Sequence, residues 1–249
     1  MSLAGWIRLI IIAGSVLALE VACRTGAVPV LTMIPPSEMA SSLWKLLISG
    51  RVNGDIVFSL TNVISTILLS VLGGFVIGAA LHAVPRLRHA LDPLLSAYYA
   101  VPIFVFYPLL IVMMGIGPPS LITMGAMFGV VAMIINTLIG LDRVPAAMMK
   151  TSAVMQLGPL RSLLFVRIPA ASLHLVAGAK LAIAYSIIGI VAGEFILATA
   201  GVGKRIAFAY NDFDNQMMYG LLLLLLTFTI TVNLALSHLE NRLRKRWGQ

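Results

Sequence analysis

One carboxylate in this sequence sits where a carboxylate is costly. Glu194 lies inside a long apolar run, residues 173–199. In hydrocarbon such a group must be paired, protonated or exposed to water. It is therefore either part of a polar pathway or its gate, or a structural hydrogen bond to a neighbouring helix. Lys180, fourteen residues earlier, would lie about 20 Å away along a helix axis. It cannot pair with Glu194, so it either snorkels to the membrane interface or contacts the loop preceding its own run. A second group, Gly201-Val202-Gly203-Lys204-Arg205, has the glycines and cation of a phosphate-binding turn. A nucleotide loop needs a glycine at the position of Ala198 and a hydroxyl at that of Arg205, so nucleotide binding is rejected. His82, His89, His174 and His238 are scattered near run ends rather than at ligand spacing, and Cys23 stands alone. These patterns predict no catalytic centre, no metal site and no cofactor held by this chain.

The elements that position these residues follow from composition. Of 249 residues, 60% are hydrophobic and 10% charged, with a mean hydropathy of +1.02, far from a soluble domain's roughly one-quarter charged residues. Lipid is the expected solvent, and residues 1–249 read as a single membrane domain. The net charge of +8 is spread over short segments between apolar runs instead of one exposed face. That distribution argues against nucleic acid and for anionic lipid and orientation.

A spanning helix needs about 20 apolar residues, and six segments qualify: 6–24, 56–83, 92–116, 119–141, 173–199 and 217–238. The first reads as a retained span, because Glu20 interrupts it and no small-residue cleavage pattern follows. Pro35-Pro36-Ser37, then Met39, Leu43, Leu46 and Leu47, then Gly50, predict a short amphipathic helix on the outer, periplasmic membrane surface. With both termini in the cytoplasm, Arg8, Arg86, Arg88, Arg143, Lys150, Arg161, Arg167, Lys180 and the basic tail fall inside. Only Arg24, Lys45, Arg51, Lys204 and Arg205 fall outside, which sets the orientation.

Within the spans, Gly74 and Gly78, Gly178 and Ala182, and Gly189 and Gly193 recur at one-turn spacing and predict close helix packing. Pro102 and Pro108 must kink or break the third span. Tyr98, Tyr99 and Tyr107 flank those prolines, either lining a cavity or packing and anchoring the helix. Asn136 and Thr137 are expected to cross-link helices or to border the pathway.

About thirty residues, 142–169 and a few beyond, separate the fourth and fifth spans and are not disordered in composition. Ala146, Met149, Ala153 and Val154 predict one short helix ending near Gly158-Pro159; Leu160, Leu163, Leu164 and Val166 predict another ending at Pro169. A folded cytoplasmic hairpin with an apolar face needs a partner, so it reads as a docking element.

Ser152-Ala153-Val154, Gly158 and Ile168-Pro169 resemble the cytoplasmic EAA loop of binding-protein-dependent ABC importer permeases. The similarity is to the branch carrying aliphatic sulfonates, taurine and nitrate. It extends through Ile34-Pro35-Pro36-Ser37, Val101-Pro102, Gly115-Ile116-Gly117, Ile135-Asn136-Thr137, Gly178-Ala179-Lys180, Glu194, Gly201-Val202-Gly203 and Arg246-Trp247. The family's glutamate is Ser152 here, and the Gly-to-Pro interval is slightly shorter.

The resemblance implies an all-α polytopic permease with six spans, a periplasmic amphipathic helix and a cytoplasmic coupling hairpin. It further implies a homodimer, two ATP-binding subunits that hold ATP and Mg, and a periplasmic or lipoprotein solute-binding protein. Ser152, Ala153, Met155, Gly158, Pro159, Arg161 and Pro169 would dock the ATPase. Glu194, Asn136, Tyr98, Tyr99, Pro102 and Tyr107 are the pathway or gate candidates. A vitamin or vitamin-precursor importer of the same family, or an ion-coupled secondary transporter using Glu194, are the rival readings.

Overall fold

Proline and glycine punctuate the helices. In the computed structural model, which describes residues 3–30 and 32–246, Pro36, Pro85 and Pro118 each open a helix, where the missing N–H costs nothing. The helices are α1 Leu3–Arg24, α2 Pro36–Ser49, α3 Asn53–Ala83, α4 Pro85–Ala97, α5 Tyr107–Met114, α6 Pro118–Asp142, α7 Ala146–Val154, α8 Pro159–Ser162, α9 Ile168–Leu197, α10 Val202–Asn211 and α11 Asn215–Arg246. Trp247 and the side chains of Arg8, Arg244, Lys245 and Arg246 lie outside the described set.

Five helical stretches are long and apolar enough to cross a membrane: Gly5–Arg24, Asn53–Ala83, Pro118–Asp142, Pro159–Ile196 and Asn215–Arg242. The sixth expected span, 92–116, is not one helix. It is a bent pair, Pro85–Ala100 and Ile103–Met114, turned by 95°. The physical cause is Val101-Pro102: the residue before a proline is pushed out of helical space, and Val101 is extended at φ −87 and ψ 125. Pro108 causes no second break, because it lies in the first turn of α5.

The core is a three-helix stack of α3, α6 and α9. A Cβ on Gly74 would come within 2.6 Å of the Met133 Cβ, and one on Gly178 within 2.6 Å of the Asn136 Cβ. The small residues therefore let backbones approach, as dispersion-driven packing in lipid requires. Tyr107 and Leu110 of α5 plug one end against Leu121, Met124, Ile187 and Ile190. The prolines and Gly115 (φ +81) and Gly117 (φ +148) fold α5 back onto α6.

Helix α2 forms as expected and ends on Gly50 at φ +67. It packs on α11, with Leu46 joining Val52, Val202, Ile206 and Leu221, so protein as well as the interface covers its apolar face. Glu20 accepts hydrogen bonds from the Ser37 N–H at 3.0 Å, the Ser37 hydroxyl at 2.7 Å and Arg24 at 2.6 Å. A carboxylate of α1 thus covers free amides at the start of α2.

One expectation is corrected here, and one helix is added. The second short helix of the hairpin does not stop at Pro169: α8, one wider π-type turn at Leu163–Arg167, and α9 run on continuously. The wide turn lies where the Pro169 ring would meet the carbonyl four residues back, and so relieves that clash. Residues 202–211, which lie between the last two expected spans, form α10. Val202, Ile206 and Ala209 at helical spacing face the core.

Candidate functional site

The candidate docking element is built from one short helix and the overhanging start of the fifth span. Helix α7 starts after Pro145 and ends in a tight turn in which Gln156 takes φ +51 and the Leu157 N–H bonds the Ser152 carbonyl at 3.1 Å. Ser152, 4% exposed, donates its hydroxyl to that of Ser162 at 2.9 Å. The residue standing for the family's glutamate thus closes the α7–α8 turn from inside. Around this buried pair the apolar side chains face outward: Val154, Met155, Leu160 and Phe165 are 83%, 66%, 67% and 72% exposed. Ala153, Gly158, Pro159 and Arg161 are also exposed, and Pro169 is half-buried in the first turn of α9.

At the other end, Glu194 is 1% exposed. Its Oε2 accepts from the Ser59 hydroxyl at 2.7 Å and the Gly203 N–H at 3.0 Å. Ser59 in turn accepts from the Val202 N–H at 2.8 Å. One turn earlier on α3, Asp55 accepts from the Gly201 N–H at 3.0 Å and from Arg205 at 2.6 Å. The first amides of α10 are therefore held by two carboxylates and a hydroxyl from α3 and α9. Negative charge is favoured there by the unsatisfied N–H groups and the helix dipole. Gly201, at φ +112, lies against the carboxyl, and a side chain there would overlap it. The glycine-rich turn is a cradle of N–H donors filled by the chain's own Glu194 carboxyl.

The remaining candidates separate. Tyr98 donates to the Met127 carbonyl at 2.8 Å and so pins the break to α6. Tyr99 is 44% exposed and stacks at 5.4 Å on Tyr185 of α9, a residue the sequence did not single out. Tyr107 is 1% exposed in the core, and Pro102 sits at the break itself. Asn136 and Thr137 do not cross-link helices through their polar groups. They bond the carbonyls of Ala132 at 2.8 Å and Met133 at 2.7 Å in their own helix, because the glycines opposite them offer only close backbone. Lys180 contacts neither the interface alone nor the docking loop. It donates to Ser237 at 2.8 Å and pairs with Glu240 at 3.5 Å, tying α9 to α11.

Asp55 and Ser59 escaped the sequence reading. Their signal was a pair of polar residues four apart on one face of an apolar span.

Comparison with known proteins gives the same architecture. A family model described as binding-protein-dependent transport system inner membrane component matches residues 70–246. The chain is 29% identical over 161 residues to riboflavin transport system permease protein RibX of Chloroflexus aurantiacus, covering 65% of this chain and 60% of that relative. It is 26% identical over 217 residues to taurine transport system permease protein TauC of Escherichia coli, covering 86% and 75%. Its fold is similar to a chain in an inward-facing conformation of the MetNI methionine ABC transporter, with a TM-score of 0.63 and 18% identity over 77% of this chain and 97% of that one. A family match over most of the chain, on a helical bundle with a broken span and an exposed apolar hairpin, makes this protein a member of the family of binding-protein-dependent transport system inner membrane components.

Proposed function

We propose that the chain is the membrane-spanning subunit of an ATP-driven importer in the cytoplasmic membrane. It forms the solute pathway and hydrolyses nothing itself. Two copies enclose the pathway, and each docks one ATP-binding subunit, which holds ATP and Mg. A solute-binding protein delivers cargo to the outer face. The observation that carries this reading is the α7–α8 element. Its apolar side chains point out of the protein around a hydroxyl pair that fixes their spacing. An apolar face exposed on a rigid scaffold is what a partner helix or cleft covers. Basic residues near this element, among them Arg143, Lys150, Arg161 and Arg167, support a cytoplasmic location and cytoplasmic termini.

The cargo is a small polar solute. Riboflavin and taurine, named for two relatives, support a small polar cargo, and the solute-binding protein sets most of the selectivity. Glu194 is spent on the start of α10, which argues against a coupling-ion site there. The test is co-expression with the ATP-binding subunit. Met155→Asp places a charge on the exposed face and is expected to abolish co-purification. Gly73→Ala is its control: Gly73 lies on α3, away from this element, with open space around it. Co-purification that survives Met155→Asp removes α7–α8 as the docking element.

A further inference from the structure

Helix α4 is weakly held, with no buried residue among its thirteen. Leu91 and Leu95 rest on Leu81, Ile134 and Leu138. Its one close polar tether to α6 is Arg88, whose two terminal nitrogens donate to both oxygens of Asp142 at 2.9 and 2.7 Å. Forked pairing of this kind fixes direction as well as distance. His82, at the end of α3, approaches the same carboxylate at 3.4 Å, and Asp92 lies 4.0 Å from Arg88.

Asp142 stands at a particular place. It is the last residue of α6, and α7 begins at Ala146 after a link stiffened by Pro145. The returning chain is fixed beside it. Arg143 reaches His174 of α9 at 3.5 Å, and the Gly140 backbone is in close approach to Ala171 and His174. Both roots of the docking element therefore move as one body, and Arg88 is the polar bond from that body to α4. Beyond α4 lie the 95° break and then α5. The first turn of α5 is anchored in the core by Tyr107 and Leu110.

Resting on the importer reading, we propose that the Arg88–Asp142 pair is the positioning contact that carries motion of the docked α7–α8 element into the broken α4–α5 span. The pair makes α4 follow the root of the docking element. The hinge at Val101-Pro102 turns that motion into a change in the turn 103–106 that leads into α5, where Val105 is 69% exposed. Without the pair, the two leucine contacts let α4 lag.

The experiment uses the full complex with its ATP-binding subunit, in nanodiscs. Val105→Cys is introduced with Cys23→Ser, and labelling by a water-soluble maleimide is timed without nucleotide and with ATP trapped by vanadate. In the otherwise native complex the rate is expected to change at least about fivefold on trapping, the low end of coupling between linked sites. Arg88→Gln should abolish that change while the ATP-binding subunit still co-purifies. The exchanged pair, Arg88→Asp with Asp142→Arg, should restore it, which a merely structural loss would not allow. A nucleotide response that persists in Arg88→Gln, that fails to return in the exchanged pair, or that is absent from the native complex overturns the proposal. Failure of the native chain to recruit any ATP-binding subunit sinks the importer reading instead.

Discussion

Replacing Gly201 with alanine tests the claim that a buried carboxylate and a glycine-rich turn form one unit. At φ +112 a side chain is strained, by about 1–3 kcal/mol. Its Cβ would also overlap the Glu194 carboxyl. Moving that carboxyl loosens its bond to the Gly203 N–H, worth about 0.5–1.5 kcal/mol. Even the lower ends together predict a loss of about 1.5 kcal/mol, or about 3–6 °C in Tm for a chain of this length. The assay is thermal unfolding in detergent, following the fluorescence of Trp6 and Trp44. The decisive comparison is the double variant Gly201→Ala with Glu194→Ala. Removing the carboxyl gives the new methyl room, so the double variant should lose clearly less than the two single losses combined. A Gly201→Ala variant melting within about 2 °C of the parent, below the loss of a single ordinary hydrogen bond, would refute the reasoning. Strict additivity in the double variant would refute it too.

Two neighbouring glycines of α3 make a sharper contrast. A Cβ on Gly74 meets Met133 and the Val130 carbonyl, whereas one on Gly73 meets open space. Gly74→Leu should therefore cost about 3 kcal/mol or more and abolish the monodisperse peak in size-exclusion chromatography, while Gly73→Leu leaves it intact. Tyr98→Phe removes only the bond that pins the break to the Met127 carbonyl, with an expected loss of about 1 kcal/mol, read as about 2–4 °C in Tm. An unchanged Tm would mean that the Tyr98 bond does not pin the break.

Window hydropathy and punctuation already specified much of this protein. The apolar runs 56–83, 119–141 and 217–238 lie within α3, α6 and α11, because the bilayer requires about 20 apolar residues in a row and nothing distant can substitute for them. Pro36 and Gly50 bounded α2 for equally local reasons. The one-turn spacing of Gly74 and Gly78 marked a packing face before its partner helix was known. Tertiary structure decided what lay across the chain. Glu194 could not reveal whether it gates or caps, since Ser59 stands 135 positions away and the α10 amides nine. Asn136 and Thr137 turned to their own backbone because only the packed structure shows that glycine faces them. The fusion of α8 with α9 depended on a wide turn absorbing Pro169, where local reading ends the helix. Arg88 and Asp142 read as two interfacial charges among many. Only the return of α6 beside α4 makes them a single contact, because sequence orders residues along a line while charge pairing depends on proximity in three dimensions.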